Sequence, residues 1–169
     1  SWVRSVGQIE GPSSLVESPP TRQQVDKNDI RCPEADTAER MMNAVVSSRD
    51  KQDSIGGIVS CVCTGVPAGW GEPVFDKLEA KLAHVMMSLP ATKGFEIGSG
   101  FAGTTMHGSE HNAPFAKGSD RLTTVTNNSG GVQGGISNGM PIVFHVAFKP
   151  PATIGTSQKT VNFDGEDVM

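Results

Sequence analysis

The sequence predicts an α+β domain with helices packed on a sheet. Three observations carry that reading. In the middle of the chain, β-branched apolar runs alternate with apolar stripes at helical spacing, in the order strand, helix, strand, helix, strand. The length, 169 residues, suits one domain with a sizeable core. The 20 Gly and 11 Pro supply many turns without reaching the fraction that marks disorder.

The elements follow in order. Trp2-Val3-Arg4-Ser5-Val6 reads as a first strand. Residues 11–35 carry Pro, Ser and mixed charge with little periodicity, and read as a long loop. Asp36 with Glu39 three residues later resembles a capping box. Ala38, Met41, Met42, Val45 and Val46 then recur at helical spacing, and the turn from Asp53 to Gly57 ends that helix. Residues 58–66, IVSCVCTGV, read as a strand. Pro73 suits the first position of a second helix. Its stripe runs Phe75, Leu78, Leu82, Val85, Met86, Leu89 and stops at Pro90. Residues 94–98 form a short strand and 99–120 a polar excursion. Residues 122–126 form a strand that leads into NNSGGVQGGISNG (127–139). Ile142 to Phe148 is a strong strand, ended by Lys149-Pro150-Pro151, and 160–163 reads as an edge strand.

Charge and cysteine usage narrow the function. The net charge is −4 and no basic run occurs, which argues against nucleic acid. No apolar stretch approaches the roughly 18–20 residues of a membrane span. Three cysteines, Cys32, Cys61 and Cys63, give an odd count without framework spacing, which points to a reducing compartment. Cys61 and Cys63 fall on one face of a strand and read as core packing. The chain opens at Ser1 directly in strand-like sequence and stops at Met169 after an acidic patch. It reads as one single-domain piece, residues 1–169, of a longer protein.

Three stretches could carry chemistry. NNSGGVQGGISNG lacks the i, i+2, i+5 glycines of the dinucleotide fingerprint. It also has Ile136 where a P-loop needs Lys. Its glycines serve either a ligand-facing loop or a tight structural turn. His107-Gly108-Ser109-Glu110-His111 matches the zinc pattern H-x-x-E-H, but Gly103, Gly108 and Pro114 disfavour the helix that zinc hydrolysis needs. Lys149, at a strand's end before two prolines, reads either as an anion clamp or as a solvated turn residue.

Four stretches taken together resemble a known family. They are GEPVFDKLEAKLAHVMMSLPATKGFEIGSGF (71–101), GSEHNAPF (108–115), NNSGGVQGGISNG (127–139) and VAFKPPATI (146–154), with DSIGGIVSCVCTGVPAGW (53–70) before them. In this order they resemble chorismate synthase, in forms similar to its eukaryotic members, from about residue 30 onward. The resemblance implies a β-α-β sandwich and usually a homotetramer. It implies conversion of 5-enolpyruvylshikimate 3-phosphate to chorismate and phosphate by an anti 1,4-elimination that requires reduced FMN. Some eukaryotic members also reduce their flavin with NADPH. The compartment it implies is the cytoplasm, or a plastid in a plant-like source.

Site residues follow from the same resemblance. Pro90 and Ala91 lie at the flavin, Gly134 approaches it with its backbone, and Lys149, Pro150, Pro151, Ala152 and Thr153 form the other contacting segment. Pro151 and Ala152 stand where a hydroxyl is more usual. The family's acid–base residues and its phosphate-gripping arginines match nothing in these 169 residues, so the resemblance implies no catalytic residue here and an inactive isolated piece. The alternative is a non-catalytic relative that serves as an oligomerisation module.

Overall fold

The computed structural model describes residues 1–118 and 122–168. Its centre is a five-stranded antiparallel sheet of β1 (Trp2–Val6), β2 (Ile9–Glu10), β3 (Gly57–Cys63), β4 (Thr92–Ile97) and β9 (Ile142–Phe148), in the order β2-β1-β3-β9-β4. Strand β9 is the pivot. All seven of its residues pair with β3, from Ile142 opposite Cys63 to Phe148 opposite Gly57. Its other edge pairs with β4. Five of its residues are buried, as expected of a β-branched and aromatic run between two neighbours.

Two helices cover the sheet. Helix α2 (Ala35–Asp50) packs on the β1–β2 end, where Val6, Cys32, Ala38 and Met41 form one core cluster. Met41 is fully buried, which contributes about 1.5–3 kcal/mol. The N-cap of α2 is Glu34, not the expected Asp36. The Glu34 carboxylate accepts from Asp36 N at 3.1 Å and from Thr37 N at 2.8 Å. Hydrogen bonding from the Thr37 side chain, then from its amide, holds the Glu34 carboxyl below the usual carboxylate range. Asp36 sits inside the first turn instead, where its charge suits the helix dipole.

Helix α3 (Leu78–Met87) packs on the β9–β4 end. It is shorter than the sequence stripe. Lys77 is extended, and Leu78 N is taken by Gly135 O at 2.8 Å, so the helix starts five residues after Pro73. Leu78, Leu82 and Met86 face the core of Val66, Val132, Ile142, Phe144 and Val146. Phe75 is 91% exposed, and Val85 and Leu89 are exposed as well. The Phe95 and Phe144 rings stack across β4 and β9 with centroids 5.6 Å apart.

The peripheral parts are small. Within 11–35 lie a 3-10 turn, Ser13–Leu15, and a one-turn helix, α1 (Arg22–Val25), with a Thr21–Gln24 capping box. The excursion after β4 holds a 3-10 helix, Gly100–Thr105, and one turn, α4 (Gly108–His111). It continues into a hairpin of β5 (Phe115–Lys117) and β6 (Leu122–Thr124). Strand β6 ends two residues short of the expected Thr126, and residues 119 and 120 of the excursion lie outside the described residues. The Gly-rich stretch is itself a hairpin, β7 (Val132–Gln133) and β8 (Ile136–Ser137). The expected 160–163 strand is β10 (Thr160–Val161), and it pairs with β11 (Asp167–Val168) away from the main sheet.

Candidate functional site

The sequence-predicted site residues fall into two groups at opposite ends of β9 and α3. The first group gathers where β9 leaves the sheet. Thr92 is opposite Phe148, and Lys149 N donates to Ala91 O at 2.9 Å, so Pro90–Ala91 and Lys149–Pro150 lie side by side. Pro90 and residues 149–153 are exposed and Ala91 is half-buried. The Lys149 ammonium reaches only the Pro150 carbonyl, at 3.3 Å, and forms no ion pair among the described residues. Among the described residues it is a cation without a carboxylate partner.

The segment after Lys149 is tethered along its backbone. Ser54 Oγ donates to Pro151 O at 2.7 Å, and Gly155 N and Thr156 N donate to Gln52 O at 2.9 and 3.2 Å. The carbonyls that hold it are unusual. Arg31, Gln52 and Ala91 are the non-glycine residues with positive φ among the described residues, and two of those three carry this segment. Each left-handed residue costs roughly 1–2 kcal/mol. Strain kept at two anchors of one exposed segment is a reason to look there for function.

The second group is the glycine hairpin. Gly134 and Gly135 are the two central residues between β7 and β8, with φ of +61° and +90°. A two-residue hairpin turn with positive φ at both positions suits the twist of its strands, and glycine adopts it without cost. The sequence signal was present as Gly-Gly between short apolar-polar pairs. The glycines make a tight turn, and the space beside Gly134 is open. A Cβ on Gly134 would have nothing within 4 Å, whereas one on Gly135 would meet the Lys77 side chain. The hairpin base is fixed by Ser137, which donates to Pro67 O at 2.6 Å and accepts Trp70 N at 2.9 Å.

Length separates the groups. Gly135 bonds to the first residue of α3, and Ala91 lies past its last turn, so about 15 Å of helix intervenes. The structure thus joins Pro90, Ala91 and residues 149–153, and sets Gly134 apart from them.

The other candidates take structural partners. The Glu110 carboxylate accepts from His107 N at 2.8 Å, and His111 Nε2 lies 2.9 Å from Ser99 Oγ. Among the described residues no group of three or more His, Cys, Asp or Glu side chains could hold a metal. Cys61 and Cys63 share a face with Sγ atoms 3.9 Å apart, and burial with the neighbouring thiol pushes Cys61 up to about 11. His145 is buried, its Nδ1 2.8 Å from Ser60 Oγ. Burial lowers its pKa first and the Arg4 charge adds to that, against the opposing pull of Glu96 and Glu10. No helix is long and apolar enough to cross a membrane among the described residues.

Comparison with known proteins now decides the family. The model of the family described as chorismate synthase matches residues 1–169. The chain belongs to the chorismate synthase family. A chorismate synthase from Opitutus terrae is 60% identical over 148 residues, covering 88% of this chain and 41% of that protein. One from Schizosaccharomyces pombe is 58% identical over 149 residues, covering 87% and 38%. One from Synechococcus sp. is 54% identical over 167 residues, covering 98% and 46%. A solved structure titled "Crystal Structure of Chorismate Synthase" superposes with a TM-score of 0.81 at 31% identity, covering 88% of this chain and 48% of that one. The chain spans less than half the length of the curated relatives it matches. The bacterial and the yeast relative thus match at similar identity, 60% and 58%.

Proposed function

We propose that this chain is the flavin-contacting part of a chorismate synthase. That enzyme converts 5-enolpyruvylshikimate 3-phosphate to chorismate and phosphate by anti 1,4-elimination with reduced FMN. The observation that carries the reading is the family match along all 169 residues, with residues 149–153 exposed at one end of β9.

The residues present fit the cofactor. Lys149 offers an uncommitted cation for a phosphate, Thr153 a hydroxyl, and Gly134 a backbone that no side chain covers. Pro150 and Pro151 keep the segment stiff before anything binds, which lowers the ordering cost. Bound reduced flavin supplies electron density to the substrate during phosphate loss, with no net redox change. Lys149 and the Ala91 carbonyl that anchors its backbone orient that group from this chain. Acid–base groups and the phosphate-gripping arginines come from outside these 169 residues, so the isolated chain binds weakly and does not turn over. In this reading the enzyme is a homotetramer of the cytoplasm or a plastid.

Lys149→Ala in a full-length enzyme carrying this segment tests the reading. FMN affinity should fall by about tenfold, the scale of a lost charge-assisted pair, with the melting temperature unchanged. An FMN affinity equal to that of the parent would overturn the assignment.

A further inference from the structure

A cavity of about 620 Å³ opens beside the edge strand β4, away from the Lys149 segment. Ala80 and Ala83 of α3 and Phe95 and Ile97 of β4 give it an apolar floor. That volume falls within the roughly 300–1,000 Å³ of small-ligand sites. Phe101, 78% exposed, stands at its lip.

Its carboxylates lie beside the imidazole of His111 and the neutral polar side chains of Ser99, Thr104, Asn128 and Ser129. Glu79 and Glu96 both line it, and among the described residues no Lys or Arg does. Glu96 Oε2 is engaged, accepting from Phe101 N at 3.2 Å. Glu79 Oε2 is buried without a hydrogen-bond partner among the described residues. Its place in the first turn of α3 suits a negative charge but supplies no donor. A carboxylate oxygen withdrawn from water and left unpaired is costly, and a ligand that brings the missing donor recovers that cost. The same charges repel a flavin phosphate or a phosphorylated shikimate.

Among cations, a guanidinium matches these walls best. It is planar, more weakly hydrated than ammonium, pairs with carboxylates through a fork of donors, and stacks on aromatic faces. We propose that this cavity is a guanidinium site. Glu79 forms the charge-assisted pair and Phe101 covers the plane of the group. The guanidinium belongs to a free arginine derivative or to an arginine presented by a second copy of this chain.

Titration of the chain with arginine amide, followed by NMR, tests the site, with citrulline amide as the neutral isostere. Arginine amide should bind at least about tenfold more tightly than citrulline amide. Glu79→Gln should remove that preference, and Phe101→Ala, at an exposed position that leaves the core intact, should weaken arginine amide by about threefold. Sedimentation in the same titration separates the sources. Loss of dimer on adding arginine amide assigns the group to a second copy, and an unchanged mass with binding assigns it to a free ligand. Equal binding of the two amides to the parent chain, or full affinity in a folded Glu79→Gln, overturns the proposal. Should Glu79→Gln not fold, the citrulline comparison and Phe101→Ala decide alone.

Discussion

The two ends of β9 are built on opposite plans. At the glycine end, backbone lies against backbone. Leu78 N bonds to Gly135 O, Gly69 N to Ser137 O and Ser137 N to Trp70 O, all within 2.8–2.9 Å. At the Lys149 end, side chains are exposed, and the segment hangs from two strained residues and one serine hydroxyl. The first end holds α3 and the sheet in register. The second end keeps a cation and two prolines free. A family motif thus need not mean one role: the residues between 127 and 139 mostly hold the fold, and those from 149 to 153 mostly face outward.

The sharpest way to break that contrast is a pair of alanines. Gly71 has φ +120°, and a Cβ there would run into the Gly135 carbonyl oxygen and press on Leu78 N, both backbone atoms that cannot step aside. Gly71→Ala should cost about 3 kcal/mol or more, from backbone strain plus overpacking. Gly134→Ala meets nothing and carries only its left-handed φ, about 1–2 kcal/mol. Urea unfolding of both variants measures the difference as a shift in midpoint at constant slope. Equal losses would mean that the glycine end is not held by this backbone contact.

The same contact marks the limit of what the sequence could tell. The strands over 2–6 and 142–148, and the cores of both long helices, were legible because burial leaves a periodic trace. The start of α3 was not. Pro73 and Phe75 fit a helix locally, and what displaces the start to Leu78 is a carbonyl some sixty residues away in sequence, at Gly135. The cap at Glu34 was missed for a milder reason, since Asp36 had the better local pattern and Glu34 the better reach. For the candidate site, resemblance suggested residues but could not say that Gly134 stands apart from Ala91 and Lys149. That separation comes from helix α3, which runs between the Gly135 contact at Leu78 and the segment that holds Ala91. Glu79 left no signal beyond an acid near a helix start, because an unpaired buried oxygen is a property of packing.

A smaller effect lies between the two ends, at His145. Ser60, His145 and Glu96 sit opposite one another across β3, β9 and β4, and Arg4 and Glu10 are close enough to act on the imidazole. Its folded pKa lies below the ordinary value of about 6.5. In that window the unfolded state holds more protons than the folded one, so stability rises with pH. Stability should therefore decline as pH falls below about 6.5 and level off once the folded histidine is protonated. His145→Asn should remove this part of the slope, with Arg4, Glu10 and Glu96 unchanged in both proteins. Unfolding midpoints at pH 7.5 and 5 in parent and variant measure it, and parallel slopes would mean that His145 does not contribute.

The smallest expected effect tests whether strain at the open end has a purpose. Ala91 has φ +67°, and its carbonyl accepts the Lys149 amide. Glycine at this position loses the Cβ penalty but loosens the unfolded chain, and the two effects oppose each other. Ala91→Gly should therefore change stability by no more than about 1 kcal/mol, with relief of strain outweighing the added freedom of the unfolded chain. Amide exchange at Lys149 gives the second readout. If Ala91 only tolerates its conformation, exchange there should slow as the fold becomes more stable. If Ala91 holds the segment in place, exchange should quicken even though the global midpoint does not fall, because a glycine at that point lets residues 149–153 swing. The exposed, weakly bonded character of the segment favours quicker exchange, since local opening free energies are set by such contacts and not by the core.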